Sequence, residues 1–200
     1  MRSFAAISAV LFASSALASP VTVSSMFELD DRQAKACFVV GNQVLPKEVA
    51  DAAAAVAPVV TCAANGVKTL SGVPDVTSGD VSFSDIDFSQ ARGQSTLAFA
   101  LQKFATATPL ASTDLQRFED SLNVYLATEV GIRSVGGNLA IKVPKFFLEF
   151  QVSRIKTAQG NPPTEPGLQV DHLRDKVTKN AAGQSKALLD QVVALAKQLK

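Results

Sequence analysis

Cys37 and Cys62 are the only two cysteines of the 200-residue chain, and whether they meet constrains its fold more than any other feature. The answer depends on the compartment, because thiols stay reduced in the cytosol and pair in exported proteins. The N-terminus points to export. Arg2 supplies a positive start, Phe4 to Ala13 a short apolar run, and Ala16 and Ala18 small residues at the −3 and −1 positions. That order is the three-part pattern of a cleavable signal peptide, with cleavage expected after Ala18. An exported chain with two cysteines has one pairing available, so a structural Cys37–Cys62 disulfide is expected rather than a free catalytic thiol. On the chain-entropy account such a loop is worth roughly 3–4 kcal/mol.

The apolar part of the leader is too short to span a bilayer, and no later stretch reaches the roughly 18 uncharged apolar residues a span requires. The C-terminus ends in a charged, helix-like segment rather than the apolar tail of a lipid-anchor signal. The secreted, extracellular product therefore carries no transmembrane segment. Only Arg2 among the charged residues lies in the leader, which leaves 18 bases and 18 acids in the expected mature chain. That balance lacks the basic excess of a nucleic-acid binder. Twelve phenylalanines against one tyrosine and no tryptophan put most aromatic surface into groups that cannot hydrogen-bond, which suits a core.

Residues 19–35 are polar and read as an N-terminal arm. Cys37 to Val40 resembles a short strand before the Gly41-Asn42 turn, and Pro46 opens a helix over Lys47 to Ala57 that Pro58 stops. Asn65-Gly66, between Val59–Cys62 and Val67–Leu70, predicts a hairpin. Val81 and Phe83, then Ile86 and Phe88, alternate in two phases, as across a bulge. From residue 94 the pattern turns helical. Thr113-Asp114-Leu115-Gln116 reads as a capping box, followed by an apolar stripe that runs out at Gly131. Residues 144–159 alternate like a strand, yet they run uninterrupted from Pro144 to Gly160, and that length predicts a helix. Pro162, Pro163 and Pro166 mark a linker at 158–167. Residues 168–200 read as a helical tail divided near Gly183.

Little in the chain points to chemistry. His172 is the only histidine, so any imidazole mechanism must use it. It lies among Asp171, Arg174, Asp175 and Lys176 on a polar helix face, with Asp175 three residues on as the one group placed to orient it. It is a weak functional candidate, and no catalytic residue is assigned. Asp75, Asp80, Asp85 and Asp87 are weak metal candidates, being hard oxygen ligands in a spacing that matches no calcium loop. No cofactor is expected. The glycines of Gly131–Gly137 lack the Lys-Ser/Thr that a phosphate loop requires.

The run Thr128-Glu129-Val130-Gly131-Ile132-Arg133-Ser134-Val135-Gly136-Gly137, continuing into Ile141 to Leu148, with Leu45-Pro46 and Val73-Pro74-Asp75, resembles an uncharacterised family of small secreted proteins of filamentous fungi. The resemblance covers about residues 36–157. It implies secretion and a shared core, and it carries over no site residue.

The expected organisation is a signal peptide at 1–18, an arm at 19–35, a disulfide-linked main domain at 36–157, the linker at 158–167 and the tail at 168–200. The expected fold class is α+β, mainly helical, with a small β element near the disulfide packed on a helical bundle; the alternative is all-α. The expected function is that of a non-catalytic extracellular interaction protein, effector-like or associated with a cell surface or wall. Its partner would be a protein or a cell-wall polymer, not nucleic acid. A carboxylate-dependent hydrolase and a carrier of a small apolar ligand are the alternatives.

Overall fold

Proline and capping chemistry set the helix starts of the structure, a computed structural model that describes residues 35–64 and 66–200. The leader, the arm up to Ala34 and Asn65 lie outside the described residues. Pro46, with φ −54°, precedes helix α1 (Lys47–Val56), and its carbonyl oxygen accepts from the amides of Val49 and Ala50. Helix α2 (Thr96–Lys103) is capped by Ser95, whose side chain accepts from Ala98 N. Helix α3 (Leu115–Ser134) is capped by Asp114, whose carboxylate accepts from Arg117 N at 3.1 Å. The expected capping box is corrected here. Thr113 Oγ1 instead accepts from Ala107 N, which anchors the preceding loop, while Gln116 donates to Asp120 one turn on.

Helix α3 also runs through Gly131, the residue expected to end it. A methyl group at this position would meet the Phe38 carbonyl oxygen at 2.6 Å and both Val73 methyl groups at 2.6 and 2.7 Å. The glycine is there so that the N-terminal segment can cross the helix closely, and its helix-weakening effect is outweighed by that packing.

The 144–159 region is helix α4 (Lys142–Ala158), as its length indicated. Its strand-like alternation arises because α4 buries residues all round, among them Val143, Phe147, Leu148, Phe150 and Ile155. Helices α5 (Val170–Asn180) and α6 (Lys186–Ala196) follow the proline-rich loop. Val170, Leu173, Val177, Ala181, Val192 and Ala196 belong to the same apolar cluster as Phe38, Phe83, Tyr125 and Phe147. Residues 168–200 thus share the core of the segment before the loop, and Lys35–Lys200 form one compact unit.

The sheet is small and antiparallel, in the order β1 (Thr61–Cys62), β2 (Val76–Ser78), β3 (Val81–Ser82). The hairpin expected at Asn65-Gly66 is corrected. β1 pairs with β2, Thr61 opposite Thr77, and Val67–Leu70 contributes only a bridge from Lys68 to Pro74. The tight turn lies instead between β2 and β3 at Gly79-Asp80, where Gly79 has φ 52° and Ser78 pairs with Val81. Cys37–Val40 forms a turn and irregular backbone rather than a strand, with Val39 N donating to the Ala36 carbonyl oxygen. The bulge expected after Val81 is a pair of 3₁₀ turns, Phe83–Ile86 and Phe88–Gln90, which turn Phe83 and Ile86 into the core. Tyr125 fixes that corner. Its hydroxyl donates to the Ile86 carbonyl oxygen at 2.6 Å, and its ring lies 5.1 Å from that of Phe83.

Cys37 and Cys62 are joined by a disulfide, with Cα atoms 6.1 Å apart. The fold class is α+β and mainly helical, and the sheet rules out the all-α alternative. Among the described residues no helix is long and apolar enough to cross a membrane.

Candidate functional site

Residues of α3, α4 and α5 line a cleft of about 390 Å³. Its apolar wall comes from Leu122 of α3, Val152 of α4 and Leu173 of α5, with Pro163 and Leu168 from the proline-rich loop and Val59 from the segment after α1. Leu168 is 47% exposed and Val59 53%, so both stand at the mouth. Leu173 and Ser153 are the most deeply buried lining residues, at 1% and 2% exposure.

Ser153 is unusual for a helical hydroxyl. Ser121 donates to the Arg117 carbonyl oxygen, Thr128 to that of Val124 and Thr157 to that of Ser153, each one turn back. That back-bond is the usual way to satisfy a serine or threonine inside a helix. Ser153 Oγ makes none, and it is the only buried side-chain polar atom among the described residues without a hydrogen-bond partner. Leaving such a group unsatisfied costs about 1–3 kcal/mol.

The charged groups of the cleft are paired. Lys156 Nζ lies 2.7 Å from Glu119 Oε1 at the rim. Deeper, Lys145 Nζ lies 3.5 Å from Glu149 Oε1 and 3.1 Å from Glu129 Oε2, and Glu129 also binds Arg133 at 2.7 Å. Lys145 and Lys176 both stand over the Phe146 ring, at 3.8 and 5.1 Å. Burial pushes the Glu149 carboxyl above its ordinary value. Lys145 and Lys176 oppose that rise, and Glu129 adds to it.

Behind the cleft, α4 carries a second polar cluster that holds the C-terminus. Arg154 Nε donates to the Leu195 carbonyl oxygen and Nη2 to that of Gln198, both at 2.8 Å. Arg154 Nη1 donates to Gln151 Oε1, and Gln151 Nε2 donates to the Phe104 carbonyl oxygen at 2.7 Å. Burial draws the guanidinium down to about 10, which still leaves it protonated at neutral pH. These donors hold the Leu195 carbonyl in the last turn of α6 and the Gln198 carbonyl just beyond it, a structural task.

The residues singled out from sequence lie elsewhere. His172 is exposed on α5, and Asp175, its expected partner, is held by Arg174 at 2.8 Å. Asp75 accepts from Ser84 N at 3.0 Å and from Ser84 Oγ at 2.6 Å; Asp87 caps a 3₁₀ turn through Ser89 N at 2.8 Å. Asp80 and Asp85 are exposed. Among the described residues no three His, Cys, Asp or Glu side chains gather as a metal site. Sequence reasoning passed over both Ser153 and Glu149. A sequence shows neither an unmade back-bond nor a paired carboxylate.

A family model described as a domain of unknown function (DUF7143) matches residues 39–200. The match extends beyond residue 157 through α5 and α6. No curated protein and no solved structure matches the chain.

Proposed function

The chain belongs to the DUF7143 family of unknown function, and on that premise we propose that it is a secreted, non-catalytic binding protein whose recognition site is the cleft between α3, α4 and α5. The observation that carries this reading is the cleft itself, whose surface is mainly apolar and is drawn from α3, α4, α5 and the proline-rich loop. Apolar walls with a few convergent polar groups are the usual composition of small-molecule sites, and the volume lies within their range of about 300–1,000 Å³. Ser153 Oγ has no hydrogen-bond partner among the described residues, so no side chain is placed to take its proton in nucleophilic catalysis. Secretion is supported by the leader-like residues 1–18 and by the Cys37–Cys62 disulfide. The likeness to small secreted fungal proteins agrees with that location.

The reading is tested by purifying the protein from the medium of an expressing cell, denaturing it and analysing the organic extract by mass spectrometry. A stoichiometric small molecule is expected, together with an N-terminus at Ser19. The molecule should be missing from the variant Leu168→Trp, which fills the cleft from its exposed mouth. An extract with no bound compound, or one unchanged by Leu168→Trp, overturns the reading.

One observation favours a second reading, a carboxylate-dependent hydrolase. Glu119 and Glu149 line the same cleft, and the Glu149 carboxyl is raised as a general acid requires. Lys156 and Lys145 hold the two groups in ion pairs, which weighs against it. Hydrolysis of any glycoside or ester substrate that disappears in Glu149→Gln would establish this reading in place of the first.

A further inference from the structure

The proline-rich loop after α4 carries a hydroxyl between prolines. Thr164 stands next to Pro163 and two residues before Pro166, and it is the only serine or threonine of the chain with a proline within two positions on each side. Residues 161–164 form neither helix nor strand, and Thr164 is exposed together with Asn161, Pro162, Glu165 and Pro166. Each proline fixes its own φ and pushes the residue before it toward extended backbone. Glu165, before Pro166, accordingly has φ −66° and ψ 126°. The loop thus offers the open, pre-ordered backbone that recognition grooves accept at low entropic cost.

Its hydroxyl is also accessible. Hydroxyls on the helices are tied to the backbone, as Thr157 is to the Ser153 carbonyl oxygen at 2.8 Å and Ser121 to that of Arg117 at 2.7 Å. Thr164 Oγ1 has one contact, to Glu165 Oε2 at 3.5 Å, the outer limit of a hydrogen bond. The chain contains no Asn-x-Ser/Thr acceptor for N-linked sugar, so a sugar would have to be carried on a hydroxyl. We infer that Thr164 is an O-glycosylation site. The inference goes beyond the binding role of the cleft and rests only on the proposed secretion, which brings the chain to the sugar transferases of the export route. In the transfer, Thr164 Oγ1 attacks the anomeric carbon of a sugar activated by a phosphate leaving group. The new C–O bond replaces the bond from that carbon to the phosphate oxygen, and the hydroxyl proton passes to a base of the transferase. The acceptor oxygen must be brought in line with the leaving group, which an exposed, proline-held loop permits and a packed helix does not. Hydroxyl residues among prolines are the composition of O-glycosylated segments.

The test is mass spectrometry of the protein purified from the medium of its native cells and digested with trypsin. Cleavage after Lys156 and Arg174 leaves the peptide 157–174, whose only hydroxyl residues are Thr157 and Thr164. That peptide should carry a sugar on most copies, and electron-transfer fragmentation, which preserves the glycosidic bond, should place it on Thr164. Thr164→Ala should return the peptide to its bare mass, and Thr164→Ser should keep the sugar. A bare peptide 157–174 from a secreted chain that begins at Ser19, or a sugar retained in Thr164→Ala, overturns the inference and leaves secretion standing. If the protein is absent from the medium, secretion falls, and the inference with it.

Discussion

Arg154 Nη2 donates to the Gln198 carbonyl oxygen at 2.8 Å, joining residues 44 positions apart and closing the last turn of the chain onto α4. With the bond to Leu195 and the contact to Gln151, one guanidinium satisfies three buried or half-buried acceptors. Replacing it with methionine keeps much of the volume but orphans those oxygens. Arg154→Met should cost about 2–4 kcal/mol in denaturant unfolding. Hydrogen exchange should show the loss first at α6.

The same packing predicts the outcome of limited proteolysis. The proline-rich loop at 160–167 is largely exposed, so it is an accessible place to cut. The piece beyond it buries Leu173, Val177 and Val192 in the shared core. A protein nicked in the loop should therefore elute from a sizing column as one species and separate only in denaturant. Release of a free 168–200 fragment under native conditions would contradict the packing.

Ser153→Ala should stabilise the ligand-free protein. The parent buries a hydroxyl without a partner, and alanine removes that cost without opening a sizeable cavity. A gain of about 1–2 kcal/mol in denaturant unfolding is expected. A loss would mean that the hydroxyl is satisfied in solution.

Glu149 predicts a pH effect of definite sign. Burial raises its folded-state pKa from 4.5, so the folded protein holds the proton at pH values where the unfolded chain has released it. Its contribution to stability is then greatest below 4.5 and declines as pH rises through the folded pKa. Glu149→Gln cannot ionise. Relative to the parent it should gain stability as pH rises above 4.5 through the raised folded-state pKa. Thermal melts of both proteins across that range check the trend, and the opposite slope would mean that Lys145 and Lys176 outweigh burial.

The disulfide spans 25 positions of sequence, Cys37 to Cys62, and encloses α1. Cys37→Ser/Cys62→Ser should lose roughly 3–4 kcal/mol on the chain-entropy account. Chemical unfolding of the double variant measures this directly.

Local chemistry was readable along the chain, and long-range choices were not. Pro46, Pro144 and the unbroken length of 144–159 placed α1 and α4, because helix entry and strand length are short-range matters. Asn65-Gly66 misled because β1 pairs with β2, with Cys62 opposite Val76, which is buried in the core. A dipeptide cannot report on that. Gly131 read as a stop because the crossing of Phe38 over α3, for which the glycine is needed, lies 93 residues away in sequence. The cleft was invisible for a related reason. Its walls come from three helices and the proline-rich loop, and its carboxylates are neutralised from other turns and helices.

Helix α3 carries a further consequence for biosynthesis. It touches α1, α4, β2 and β3, and its Ser134 hydroxyl accepts from the amides of Val40 and Gly41 at 3.2 and 2.9 Å. Helix α1 and strands β2 and β3 therefore leave the ribosome ahead of the surface on which they rest. Until residues 115–134 have followed, Phe38, Val73, Val76 and Phe83 lack their helical cover, so the nascent N-terminal half is the stage at which the chain most needs shielding. A ribosome stalled before Leu115 should present a chaperone-binding, aggregation-prone product, and one stalled well past Ser134 should present one far less so.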